Sequence, residues 1–270
     1  MRKISSYPAP KRLGIFILTL LLIWLPLAAP LSWLLRHDAN LLTIVTMGLL
    51  FGEFLILLPV WGKLVHGQNQ IFRYYGFTLT QTNRLQLHRG LTIGLLATFA
   101  LFILEGSLGW LQFQAPPNYL PRIVWEGLLS GLGVALAEEL FFRGWLLDEL
   151  QRDYSPQKVV WLNGIIFAFL HFLQPPTQML ANALAFPGLA LMGMTLVWAK
   201  YRGRGLLGLP IGIHGGMVWA FYILDMGRLY QYTGEAPAWV TTVNGHPFAG
   251  IIGILALVLL AMGLRVNYEK

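Results

Sequence analysis

The chain has 270 residues, 56% of them hydrophobic and 11% charged, with mean hydropathy +0.60 and a formal net charge of +7. A soluble domain carries about a quarter charged residues, so a fold with a wholly aqueous surface is excluded and a chain embedded in lipid is expected. The absence of cysteine excludes disulfides, thiolate metal sites and a cysteine nucleophile, and the positive balance reads as basic residues held on the cytoplasmic side of a membrane rather than as a nucleic-acid surface.

A helix needs about 20 apolar residues to cross a bilayer. Eight segments qualify, at 13–35, 41–62, 90–112, 122–147, 158–173, 179–199, 205–224 and 247–265. They predict an all-α polytopic bundle of about eight transmembrane helices with both termini cytoplasmic. On this reading 1–12 is a cytoplasmic tail, 13–265 a single membrane domain and 266–270 a second tail. The bilayer is the plasma (cytoplasmic) membrane or an internal one such as a thylakoid. The first apolar stretch, about 23 residues, is longer than the roughly 7–15 of a signal peptide and reads as a retained helix. With the N-terminus inside, fifteen Lys and Arg fall in cytoplasmic segments, three (Arg36, Arg122 and Arg228) fall outside, and Arg143 lies within a helix. That asymmetry supports both the count and the orientation. The polar stretch 63–89 reads as an interfacial loop with a short surface helix.

Ionisable groups inside spanning helices cost on the order of 2.5–3.5 kcal/mol each on insertion scales, and so mark function or pairing. Glu53 and Glu105, in the second and third spans, read as interhelical hydrogen-bond partners. In the fourth span Glu138-Glu139-x-x-x-Arg143 places Glu139 and Arg143 four apart on one face, where they can pair. Glu138 is turned by about 100° and addresses a different partner. Asp148, Glu149 and Asp153 follow as a solvated cytoplasmic cluster, and Trp61, Trp110, Trp145, Trp198 and Trp239 as an interfacial belt.

The fifth span carries Asn163, Phe167 and His171 in one stripe, and the sixth is interrupted at Pro187-Gly188. In the seventh, His214 lies among Gly212, Gly215 and Gly216, small residues that let another helix or a substrate backbone come close. Alone, each histidine reads more simply as a packing residue; together, in separate spans and in this order, they mark a site.

At these residues the sequence resembles the CAAX-protease and bacteriocin-processing family of intramembrane peptidases, which includes the bacterial Abi proteins. Glu138-Glu139-x-x-x-Arg143-Gly144, Phe167-x-x-x-His171 and His214 match its three motifs, across about 120–224. The resemblance implies catalysis by Glu138, His171 and His214, supported by Glu139, Arg143 and Phe167. Glu138 would activate water, His171 would hold or polarise it, and His214 would stabilise the oxyanion or protonate the leaving group. The same three residues also form a ligand set suited to a divalent metal such as zinc, so metal-dependent and metal-free chemistry both stay open. Partners on this reading are the lipid bilayer and a membrane-associated or membrane-delivered protein or peptide; oligomeric state is not readable. Many members have Asn four residues after the third-motif histidine, where this chain has Val218. A valine cannot donate to an oxyanion, so either backbone amides near Gly215 and Gly216 do so, or the chain is a catalytically impaired relative serving as a scaffold or chaperone-like partner. A proton-coupled transporter is a third reading, against which no inverted repeat is visible.

Overall fold

A computed structural model of the chain describes residues 4–172, 179, 183–243 and 245–266. Arg2, Lys3, Lys270, residue 173 and most of the expected start of the sixth span lie outside them. The helices are α1 (Ala9–Leu34), α2 (Ala39–His66), α3 (Ile71–Tyr74), α4 (Gln81–Ser107), α5 (Leu120–Glu139), α6 (Leu147–Gln151), α7 (Pro156–His171), α8 (Phe186–Arg202), α9 (Gly208–Met226), α10 (Ala238–Thr241) and α11 (Ile251–Leu264). A π-helix, Leu140–Leu146, joins α5 to α6 without a break. Local chemistry sets several boundaries. Pro8 and the proline in its first turn start α1. The Asp38 side chain accepts from Leu41 N at 2.9 Å to cap α2, which ends on left-handed Gly67.

Each of the eight apolar segments holds a described helix, and six of the described helices are long and apolar enough to cross a membrane. The fifth is as short as its apolar stretch foretold, and the eighth is shorter than expected. α7 has 16 residues and α11 has 14, about 24 and 21 Å of helix against a hydrocarbon core of about 30 Å. Large apolar side chains such as Leu22, Ile56, Leu129 and Leu259 stand exposed on the outer faces; in a bilayer that surface meets lipid. The loops add one element the apolar pattern did not announce: β1 (Leu111–Phe113) and β2 (Tyr230–Tyr232) pair antiparallel with Leu111 opposite Tyr232.

α9 runs between α4 and α5, and its glycines explain how closely. A Cβ on Gly94 of α4 would lie 2.1 Å from the Ile213 carbonyl, and one on Gly131 of α5 would lie 2.8 Å from the Gly215 carbonyl. The small residues around His214 therefore seat two helices, one on each side, and fix the histidine against α5. α7 and α8 pack as a second pair against the π-helix.

Two expectations about the charged end fail. Glu149 is fully buried rather than solvated: Arg12 of α1 reaches over to donate to its carboxylate at 2.6 Å and to its carbonyl at 2.8 Å. His66 Nε2 lies 2.7 Å from Glu149 Oε1, and Trp61 Nε1 donates to the same oxygen at 2.8 Å. Trp61 and Trp145 accordingly belong to the core, not to an interfacial belt; the Trp145 ring stacks on Phe16 with centroids 4.2 Å apart. Glu105 does meet a partner, accepting from Tyr232 Oη at 3.1 Å. Glu53 is buried with neither oxygen bonded among the described residues, so its expected partner is not found.

Candidate active site

Glu138 and Glu139 are the last two residues of α5, immediately before the π-helix. A π-turn directs backbone bonds to the fifth residue and loosens the ordinary ladder, which leaves carbonyls open to side chains. Two are taken by neighbouring helices: Asn163 Nδ2 of α7 donates to Phe142 O at 2.8 Å, and Lys200 Nζ of α8 donates to Arg143 O at 2.5 Å. Lys200 also donates to Tyr75 O at 3.0 Å. The π-helix is thereby fixed from both sides.

Arg143 and Glu139 form the expected pair, Nη1 to Oε1 at 2.9 Å, with both side chains fully buried. The guanidinium also donates through Nη2 to Gly193 O at 2.8 Å and lies 4.6 Å from the Phe167 ring centroid. Spacing alone had not shown that Glu139 serves a second partner. His214 Nδ1 lies 2.9 Å from the same Oε1, so one buried carboxylate ties α5, the π-helix and α9 together.

The two imidazoles are oriented alike. His171 Nδ1 lies 2.8 Å from the Phe167 carbonyl, which can only accept, so Nδ1 carries the hydrogen. The arginine-paired Glu139 carboxylate imposes the same tautomer on His214. When a ring of this tautomer is neutral its Nε2 is a bare lone pair, and both Nε2 atoms face Glu138. Oε2 of Glu138 is 3.5 Å from His171 Nε2 and 3.9 Å from His214 Nε2. The three sequence-predicted residues thus meet through three acceptor atoms. Glu138 and His171 keep 28% and 32% side-chain exposure, while His214 has 5%; the first two can be reached and the third is held. Glu138 also lines an apolar cavity of about 350 Å³ between α1, α2 and α5, walled by Leu20, Leu50, Phe54, Val134 and Phe141.

The donor types would suit zinc, and each Nδ1–H is fixed by an acceptor as metal-binding histidines require. The arrangement does not: among the described residues no group of three His, Asp or Glu is placed to hold a metal ion.

The model of the type II CAAX prenyl endopeptidase Rce1-like family matches residues 120–220. A protein of Bacillus subtilis (strain 168) described as "Uncharacterized protein YyaK" is 26% identical over 204 residues, covering 72% of this chain and 66% of its own length. The match therefore spans just under two thirds of that relative. No solved structure matches. The matched stretch begins with α5 and closes within α9, holding Glu138, Glu139, Arg143, Phe167, His171 and His214. The resemblance read from the motifs is borne out: over residues 120–220 this membrane chain matches the Rce1-like family model, in the stretch that carries all three motifs.

Proposed function

We propose that the chain is an intramembrane endopeptidase in which Glu138 activates water to hydrolyse a peptide bond in a membrane-associated or membrane-delivered protein or peptide. The observation that carries this reading is the convergence of Glu138 Oε2 with His171 Nε2 at 3.5 Å and His214 Nε2 at 3.9 Å. Water has two hydrogens and two lone pairs, so it can donate to two of the three and turn a lone pair to a carbonyl carbon. As the water oxygen bonds to that carbon, Glu138 takes one of its protons. When the C–N bond breaks, the proton passes to the leaving nitrogen. His171 holds the water. His214, whose ring is fixed by a carboxylate in the manner of a carboxylate–histidine pair, is stabilised by Glu139 whenever it carries a proton and can hand one to the leaving amine. The apolar cavity beside Glu138 suits a substrate whose flanking residues are apolar or carry a lipid.

The chemistry is written without a metal, and prolonged treatment of the purified protein with a strong chelator is expected to leave the cleavage rate unchanged. Loss of activity that zinc restores would replace this version with a metalloprotease.

A scaffold reading is favoured by Val218, which cannot serve an oxyanion. Comparative proteomics of membranes carrying wild-type chain or Glu138→Gln separates the two. Neo-termini present only with wild-type support the peptidase. An identical set of termini, with the variant complementing a deletion strain, supports the scaffold.

A further inference from the structure

The two short helices stop inside the bundle, and their ends meet. Phe172, the residue after His171, packs in one cluster with Ala185, Val243 and Ala249 from the segment leading into α11. That segment is held by its own turns: His246 N donates to Val243 O and Ala249 N donates to His246 O, each at 3.0 Å. It also lies hard against α8, where a Cβ on Gly188 would sit 2.4 Å from the Phe248 carbonyl. His246 is carried on this rigid turn and lines a cavity of about 130 Å³ with Leu189, Met192, Met217 and Val218. Its side chain is open to the cavity, yet enough protein surrounds it to hold the imidazole below its ordinary pKa, with the nearby His171 a second cause. A neutral imidazole keeps one N–H, and the exposed His246 ring can turn it towards a ligand in the cavity.

The tetrahedral intermediate of peptide hydrolysis needs a donor aimed at its oxyanion, and one such donor contributes about 10²–10³ in rate. The Nδ1–H groups of His171 and His214 are already bound to Phe167 O and Glu139. Val218 stands one helical turn beyond His214 on the same face and offers only methyl groups. Of the side chains lining the cavity that Val218 shares, His246 alone carries a polar hydrogen.

We infer that His246 is a further catalytic residue, donating a hydrogen bond to the scissile carbonyl oxygen in the space beside Val218. This rests on the peptidase reading above. The segment His246–Ala249 is then the part of the chain that completes the site from outside the family-matched stretch. The step is a hydrogen bond that strengthens as charge develops on the oxygen, and no bond of His246 is made or broken.

The test uses cell membranes carrying the full chain and follows only those neo-termini that Glu138→Gln eliminates. His246→Ala should lower their rate of appearance by about 10²–10³-fold, with unaltered abundance and thermal unfolding in detergent. His246→Gln, which keeps a donor, should stay within about tenfold of wild-type. Adding Val218→Asn to His246→Ala puts a donor on the opposite wall of the cavity and should recover at least tenfold. Two results overturn the inference: Glu138-dependent termini undiminished in His246→Ala, or termini lost in that variant and regained by neither His246→Gln nor Val218→Asn, which would mark a structural role. Termini that do not depend on Glu138 at all would remove the peptidase reading instead, a failure visible before any His246 variant is compared.

Discussion

At the scale of single residues, the proposed site divides into side chains that can be reached and side chains that hold them. Glu138 and His171 are partly exposed, whereas Glu139, Arg143 and His214 are buried. Removing Glu138, His171 or His214 as Glu138→Gln, His171→Ala or His214→Ala should each lower kcat by about 10²–10⁴-fold, the usual contribution of a positioned acid or base, without lowering abundance. Arg143→Ala behaves differently. It leaves the buried Glu139 carboxylate with the His214 ring as a partner but no arginine, a loss of about 3–5 kcal/mol, so the variant should lose thermal stability in detergent; a wild-type unfolding midpoint would contradict that role. The three motif residues were legible because an ionisable group stands out in apolar sequence. The bond from Glu139 to His214 was not, since spacing along one helix carries no information about which helix packs opposite. His246 escaped notice for a related reason: it lies in a Gly-Pro loop, and its relevance comes from the chain folding back onto α7.

At the scale of elements, the π-helix is the feature that sequence periodicity missed. Leu140–Leu146 is as apolar as any helical turn, and nothing in its pattern separates a fifth-residue ladder from a fourth-residue one. Its signature lies elsewhere, in Asn163 and Lys200, polar groups that meet the carbonyls of Phe142 and Arg143. Lys200 reads in sequence as one more cytoplasmic charge at a helix end, yet its ammonium points into the bundle. Lys200→Met keeps the stem but strands the carbonyls of Arg143 and Tyr75. A loss of about 1–3 kcal/mol of stability is expected, together with reduced activity because Glu138 sits directly before the π-turn. Stability and activity both at wild-type level would show that the π-helix holds itself. The long helices were legible from hydropathy, as was the shortness of α7; that of α11 was not, because the apolar residues leading into it extend the apparent span.

At the scale of the whole molecule, the N-terminal pair of helices is fastened to the half that holds the family-matched stretch by a buried polar knot. Arg12, His66 and Trp61 all converge on Glu149, at the end of the same continuous helix that carries Glu138. Without that knot, α1 and α2 would be attached to the bundle mainly by apolar contacts, which lipid can replace almost as well. Glu149→Ala removes the closer of the two carboxylates on Arg12, leaving Asp153 at 3.3 Å, and takes the acceptor from His66 and Trp61. It should cost about 1–3 kcal/mol, and limited proteolysis should cut the chain between α2 and α4 sooner than in wild-type. The apolar cavity beside Glu138 is walled on one side by α1 and α2, so loosening them should also raise KM more than it lowers kcat.

The central claim is that the Glu138 carboxylate takes a proton from water held among two imidazoles. Purified Glu138→Ala, assayed on a peptide spanning a cleavage site found in the membrane comparison, tests it most directly. The account predicts no measurable cleavage alone and partial recovery on adding formate, a small carboxylate able to enter the space left by the side chain, with no recovery on adding chloride at equal ionic strength. Cleavage by Glu138→Ala at the wild-type rate without formate would contradict it.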